Sequence, residues 1–139
     1  MPNSYFLKLG LSRGSGITGG SSNKSFPGWI EIDSWGPVLP ASAGSVGPGK
    51  IRVQEYAFAK RPDVASPVMF QASHTGRYFD GAVLAIEGLA APAGIEFKDL
   101  NISGFRHDLP LESFTINFAS MKFTGAMDSS HPAALGRRL

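Results

Sequence analysis

The chain has 139 residues, the usual size of a single domain and enough to bury a core of its own. It contains no cysteine, so disulfides and thiolate metal sites are excluded, and its net charge of +2 provides no basic patch of the kind that binds nucleic acid. A hydrophobic fraction of 42%, together with 17 glycines and 10 prolines, favours an all-β protein with many turns over a disordered chain.

No apolar run has the length of a membrane span, and the amino-terminal sequence MPNSYFLKLG lacks a basic region followed by a long apolar one. We therefore expect no membrane insertion and no signal peptide. The protein should be made and folded in the cytoplasm. Any export should then use a dedicated machine instead of the general secretory route.

The first part of the chain predicts two strands separated by loops. Residues Tyr5–Leu9 predict the first strand, and Trp29–Trp35 predict the second, with apolar residues on one side. Long glycine-rich loops are expected at about 10–27 and 36–49. The second of these loops also contains prolines, which argues against any regular element within it.

The middle of the chain predicts a strand, a charged turn and one short helix. Residues 51–58 alternate between apolar and polar side chains, with a slip of one position before Tyr56. Ser66 followed by Pro67 marks a helix start, because the serine hydroxyl can cap free N–H groups and proline lacks an N–H that would go unpaired there. Gly76 is placed to end the helix, whose apolar face is expected to hold Val68, Met69 and Ala72.

Three further strands are predicted at about 79–87, 95–105 and 111–124. The apolar positions change parity inside the last two, where Ile95 and Phe97 give way to Leu100 and Ile102, and Phe114, Ile116 and Phe118 to Met121 and Phe123. Such a change moves side chains to the opposite face unless a bulge or bend absorbs the extra residue. We therefore predict strongly bent strands in a small closed barrel. The alternative is that these strands only cross from one environment to another.

The segment Val83–Ile86 is apolar on both faces, which indicates a strand that is covered on both sides. Either a second subunit or the predicted helix could provide the outer cover. The sequence does not choose between these two possibilities.

Several loops match catalytic or nucleotide-binding patterns but lack the elements that those patterns need. Gly10–Gly14 fits the nucleophile elbow around Ser12, and Gly14–Gly19 fits the dinucleotide fingerprint, yet more glycines follow where each pattern requires a helix. Gly44–Lys50 approaches a phosphate-binding loop, but Ile51 stands where Ser or Thr would hold magnesium. We predict no catalytic residue, no cofactor and no metal site, since the three histidines lack metal-binding spacing: His74, His107 and His131.

The order of these segments resembles a known family. A strand that ends in an aromatic residue and lysine, followed by Asp63-x-x-Ser66-Pro67 and a methionine-containing helix, is similar to the haemolysin-coregulated protein (Hcp) family. Members of this family form the tube of the bacterial type VI secretion system. Further segments match in order and spacing over almost the whole chain, namely 4–10 (SYFLKLG), 28–36 (GWIEIDSWG), 79–88 (FDGAVLAIEG), 95–105 (IEFKDLNISGF) and 111–123 (LESFTINFASMKF).

The resemblance implies one tube domain over residues 1–139, a small β-barrel of two packed antiparallel sheets with one short α-helix on the outside and a flexible tail at 126–139. It also implies that six subunits form a ring and that rings stack into a tube inside a contractile sheath. Contraction would drive the tube, tipped by a spike protein, out of the cell. The lumen would carry effector proteins, the subunit would not be an enzyme, and secretion would run from the cytoplasm through the type VI machine.

The resemblance also suggests which residues make the assembly. By position, the loop that reaches the next ring is 36–49, and its expected stacking residues are Val38, Leu39, Pro40, Ser45 and Val46. Apolar residues in a polar loop suit docking, and the prolines reduce the entropy lost on docking. The expected ring-forming residues lie on the strand and helix described above: Val83, Ala85, Met69 and Gln71.

Three other functions remain possible at this point. A monomeric β-barrel could bind a small ligand in a cavity lined by Trp29, Phe97 and Phe114. An esterase could use Ser12, in which case Ser12→Ala would abolish ester hydrolysis. A tail-tube protein of a contractile phage shares the tube architecture, and sequence alone hardly separates it from a secretion tube.

Overall fold

The fold is mainly β, with one helix among the residues described. The structure is a computed structural model that describes residues 4–12, 14, 16–38, 54–89 and 93–125. In chain order the elements are β1 (Ser4–Leu9), β2 (Ile30–Ile32), β3 (Ser34–Val38), β4 (Glu55–Lys60), α1 (Ser66–Thr75), β5 (Phe79–Glu87), β6 (Ala93–Asp108) and β7 (Leu111–Gly125). The strands form one 7-stranded antiparallel sheet in the order β2-β1-β5-β6-β7-β4-β3.

The sheet curls until its two ends meet. The end strands β2 and β3 follow each other in the chain and are separated only by Asp33, whose N–H donates to the Ala59 carbonyl at 2.7 Å. The predicted single strand Trp29–Trp35 is therefore wrong, because the chain turns a corner at Asp33. The second predicted loop also begins later than expected, since Gly36 and Val38 still pair with β4.

Two layers face each other across the core. Layer A consists of β2, β1, β5, the first half of β6 and the end of β7, whereas layer B consists of β3, β4, the start of β7 and the end of β6. Phe97 of layer A contacts layer B, with ring centroids 5.3 Å from Tyr56 and 5.0 Å from Phe118. Phe97 and Phe114, expected to line a ligand cavity in a monomeric barrel, are instead buried in ring contacts.

Cross-strand rows of large side chains fill both layers. In layer A, a row of four fully buried residues crosses neighbouring strands, namely Ile30, Leu7, Leu84 and Ile95. In layer B, an aromatic row runs through Trp35, Phe58, Phe114 and Phe105. Directly opposite residues interact most strongly in a sheet, so these rows set the register of the strands.

The predicted parity changes in the long hairpin are present. In β6 the buried positions pass from Ile95 and Phe97 to Leu100 and Ile102, and Asp99 between them has a positive φ of 54°. A register irregularity follows between Ile102 and Gly104. These local departures from regular β geometry let one strand serve both layers, as bent strands do in small barrels.

Helix α1 begins and ends where the sequence predicts, but its contacts differ. The helix ends at Gly76, which adopts the left-handed conformation with φ 66°. The hydroxyl of Ser66 does not cap the helix, because it donates to Glu112 on β7 instead. Met69 and Ala72 are buried against the barrel, whereas Val68 faces solvent, because neighbouring residues point about 100° apart around a helix.

The first loop is more ordered than its glycine-rich sequence suggests. Its backbone pairs with itself, as in the bond from Gly19 N–H to the Gly28 carbonyl at 2.8 Å, and with β1 through the bond from Ile17 N–H to the Leu9 carbonyl at 3.1 Å. A Cβ on Gly19 would lie 2.5 Å from the Trp29 carbonyl, so only glycine fits there. Phe26 of this loop stacks on Phe6, with centroids 4.7 Å apart, and covers part of the outer face of layer A.

Candidate functional site

The outer face of layer A, which points away from the core, carries a patch that the helix does not cover. The patch follows two cross-strand rows, one through Ala85, Gly94 and Thr124 and the other through Lys8, Val83, Glu96 and Lys122. Helix α1 packs on β6 of the barrel, away from Val83 and Ala85. Val83 and Ala85 are half-buried, so the helix is not the cover of this strand, and a second subunit stays a prediction.

The end of β7 has a backbone edge that pairs with no second strand among the described residues. Strand β4 pairs with β7 only as far as Asn117, and the last bond on that side runs from the Phe118 N–H to the Gln54 carbonyl. Beyond it, residues 119–125 pair with β6 alone within the described part of the chain. Unpaired strand edges of this kind are templates for pairing with another chain.

Phe123 lies on this open edge and is incompletely covered. It extends the buried row of layer A, since it pairs directly with Ile95. Ile95 and Leu84 are fully buried, but 43% of Phe123 is exposed. The core of layer A thus ends in a partly exposed aromatic ring, at a place where the backbone pairs with β6 alone among the described residues.

A buried ionic cluster closes the opposite end of layer B. Lys60 on β4 and Glu112 on β7 stand directly opposite each other, and the Lys60 Nζ lies 3.1 Å from Glu112 Oε1. The same ammonium lies 2.9 Å from Asp63 Oδ1 and 3.0 Å from Ser66 Oγ. Ser66 donates to Glu112 at 2.6 Å, so the first residue of α1 is bound to both charged partners.

The ionic cluster joins several chain segments. Asp63 accepts the Ala65 N–H at 2.9 Å and the Gly20 N–H at 3.0 Å, which ties the first loop and the helix start to β4. His107 Nδ1 on β6 lies 3.1 Å from the other oxygen of Glu112. Burial alone would raise the pKa of Glu112, but hydrogen bonds from Ser66 and Lys60 and the charge of Lys60 outweigh it, so the pKa lies below its usual value.

The residues expected to make the assembly lie in different environments. Val83, Ala85 and Gln71 are at the surface or half-buried. Met69 is fully buried beneath α1, where it belongs to the core, and cannot contact a neighbouring subunit. Val38 is half-buried at the end of β3, whereas the other stacking residues lie outside the described residues: Leu39, Pro40, Ser45 and Val46.

The motifs that resemble reaction chemistry occupy ordinary structural positions. The Ser12 hydroxyl donates to the Asp80 carboxylate at 2.5 Å, and the chain after it passes through paired loop segments to β2. His74 sits in the last turn of α1, with Nδ1 3.0 Å from the Phe70 carbonyl. Within the described ranges, no group of three or more His, Asp or Glu residues is placed to hold a metal ion. The phosphate-loop match at Gly44–Lys50 and His131 lie outside those ranges.

Among the same described residues, no helix has the length and apolar character needed to cross a membrane. The described residues define a mainly β protein, in which seven antiparallel strands form one curled, barrel-like sheet with a single helix.

Solved structures with a similar fold include several Hcp proteins. A double mutant of Hcp1 from the E. coli EAEC 042 pathovar is 19% identical, with a TM-score of 0.73 over 87% of this chain and 90% of that chain. Hcp1 from Salmonella typhimurium is 22% identical, with a TM-score of 0.69 over 88% and 86%. Secreted protein Hcp3 from Pseudomonas aeruginosa is 12% identical, with a TM-score of 0.66 over 88% and 90%. No curated protein sequence matches the chain.

The family model described as "Type VI secretion system effector, Hcp" matches residues 6–124. The chain therefore belongs to the Hcp family and is a tube subunit of the type VI secretion system. Hcp proteins are structural tube subunits, in agreement with the contact surfaces described above.

Proposed function

We propose that six copies of this chain, each a single tube domain over residues 1–139, close into a ring and that the rings stack into a tube. The observation that carries this proposal is the open edge at residues 119–125 with the exposed ring of Phe123. A soluble protein normally blocks such an edge with charge, proline or a covering element. Here Lys122 supplies such a charge, but the ring of Phe123 beside it is 43% exposed, and a neighbouring chain would cover that ring.

Ring closure needs two different surfaces on each subunit, because a head-to-tail contact joins unlike patches. The edge of β7 supplies one of these patches. The outer face around Val83 and Ala85 belongs to the same patch, because cross-strand rows connect it to Thr124 and Lys122. Gln71 on α1 is exposed and belongs to the same proposed ring contact. The proposed stacking contact uses the loop from Val38 onward, with Leu39, Pro40, Ser45 and Val46.

The work of this tube is mechanical. A contractile sheath would drive it, a spike protein would tip it, and effector proteins would travel in its lumen. The chain would be made in the cytoplasm and leave it through the type VI machine. We propose no reaction for the subunit and no nucleic-acid partner. In support, the Ser12 hydroxyl is hydrogen-bonded to Asp80, and the described part of the chain places no histidine against it.

Sedimentation velocity of wild-type protein, Phe123→Ser and a control variant tests this proposal. Leu109→Ser is a suitable control, because Leu109 is 77% exposed at the turn between β6 and β7, away from the open edge. We expect rings for the wild type and for Leu109→Ser, and folded monomers for Phe123→Ser. Rings of unchanged stability in Phe123→Ser would show that the open edge of β7 is not the ring contact.

A further inference from the structure

The exposed charges at the two ends of layer A are opposite. At the β7 end, Lys122 and Lys98 on β6 are exposed, whereas Glu96, which pairs directly with Lys122 on the same face, is half-buried. At the β2 end, Glu31 and Asp33 are exposed. Strand β2 ends the sheet on one side of layer A, and the open part of β7 ends it on the other.

These charged groups have no partner of their own within the described ranges. Neither the carboxylates of Glu31 and Asp33 nor the ammonium groups of Lys98 and Lys122 take part in a hydrogen bond or an ion pair there. The nearest ionic cluster is complete, because Asp63 already pairs with Lys60 at 2.9 Å. The end charges are therefore available to a second chain.

The register places the opposite charges on the same face. Glu31 pairs with Phe6, and that row continues through Ala85 and Gly94 to Thr124. Lys122 lies two residues before Thr124 on β7, so side-chain alternation puts Glu31 and Lys122 on the outer face together. A second copy that continued layer A would bring its Glu31 beside Thr124 and within reach of Lys122.

The β2 end also has room for another chain. A cleft of about 380 Å³ opens beside β2, between the strand and the turn that leads into α1. Its polar lining comes from Glu31, Asp33, Asp63 and Arg61. Lys60 shares its one positive charge between Asp63 and Glu112, so the carboxylates that line the cleft outnumber the guanidinium of Arg61. This excess of negative charge favours a basic partner.

We propose that the basic β7 end of one copy docks against the acidic β2 end of the next, with Lys122 facing Glu31 and Asp33. This contact rests on the proposed ring and specifies its direction, since unlike ends of layer A meet around the ring. Opposite charges at the rim of an interface speed and orient association, and like charges placed there oppose it. The exposed ring of Phe123 would be covered by the same contact.

Charge reversal with rescue tests this pairing. Lys122→Glu and Glu31→Lys should each raise the concentration for half-assembly by about tenfold or more, whereas the double variant should recover most of the wild-type value. Lys24→Glu makes the same charge change on the exposed first loop and should leave assembly unchanged. Added salt should weaken wild-type rings and reduce the difference between the single variants and the wild type, because salt screens exposed charges.

The possible results distinguish a failure of the charge pairing from a failure of the ring proposal. If the wild type forms rings and both single variants match it, the charge pairing is wrong and the ring proposal stands. If both single variants lose rings and the double variant does not recover them, Lys122 and Glu31 do not face each other. If the wild type stays monomeric at every concentration, the ring proposal fails and this contact fails with it.

Discussion

The Lys60 ammonium lies 3.1 Å from the Glu112 carboxylate, at directly opposite positions on β4 and β7, and both side chains are buried. Removing two charges from water costs several kcal/mol for each ion, which their attraction offsets only when further hydrogen bonds satisfy both groups. Ser66, Asp63 and the Arg61 carbonyl provide those bonds. The pair therefore fixes the start of α1 on the barrel.

Lys60→Met should lower the free energy of unfolding by about 3–5 kcal/mol, because it leaves Glu112 buried without a counter-charge. Replacing both residues, as in Lys60→Met with Glu112→Leu, should recover much of that loss. Urea unfolding of the monomer measures both effects. Arg106→Met breaks the exposed Arg106–Asp108 pair and should change stability by no more than about 1 kcal/mol. Equal effects of Lys60→Met and Arg106→Met would contradict the importance given to the buried pair.

The stability of the protein should depend on pH through Glu112. Its folded pKa lies below the unfolded value of about 4.3, so its contribution is present above that pH and is lost as the pH falls through the folded pKa. The difference in urea midpoint between wild type and Glu112→Gln should thus be largest at neutral pH. It should shrink progressively below about pH 4. A difference that stays constant from pH 7 to pH 3 would show that Glu112 does not cause this dependence.

Gly94→Ala should destabilise the barrel by about 1–3 kcal/mol, because the added Cβ overpacks a site on the outer face of layer A that backbone atoms already fill. A Cβ on Gly94 would lie 2.5 Å from the Leu84 carbonyl on β5, and neither backbone can move far within paired strands. Gly36→Ala on β3 is the matched control, because a Cβ there meets nothing within 4 Å. Thermal unfolding should separate the two variants clearly. Similar melting temperatures would mean that β5 and β6 can shift apart at little cost.

The double change Val38→Asp with Leu39→Asp should leave single rings intact and shorten or abolish stacked tubes. Carboxylates cannot enter an apolar pocket of the next ring without a large loss of hydration energy. Counting rings and tubes in negative-stain images measures the effect. Val64→Asp, a change at an exposed apolar residue before α1, serves as the control. Tubes of normal length in the double variant would show that this loop does not make the stacking contact.

Much of the fold could be predicted from the sequence because local patterns and the tertiary structure agree. The parity changes at Ile95–Ile102 predicted the bend of β6, and the structure locates it at Asp99. The helix start at Ser66 and its end at Gly76 also followed from local chemistry. The corner at Asp33 could not be predicted from local chemistry. The apolar alternation runs through it without a break, and the turn depends on a bond to β4.

The buried ion pair and the exposed ring of Phe123 were harder to predict from the sequence. Lys60 occupies a buried position in the alternation of Tyr56 and Phe58, and that placement alone signals a buried partner. Its partner Glu112 is distant in the chain, so only the pairing of β4 with β7 could identify it. Phe123 has the pattern of a core residue, yet 43% of it is exposed, on a stretch of β7 that pairs with β6 alone among the described residues. Such exposure depends on which strands lie beside a residue, a property that periodicity does not encode.

The most direct test of this account is the solution mass of the purified wild-type protein by light scattering, with negative-stain images of the same peak. Six copies of the 14.7 kDa chain have a mass of about 88 kDa. The account predicts a species near that mass that appears as six-fold rings with a central channel. A clean monomer of 14.7 kDa over the whole concentration range would contradict it.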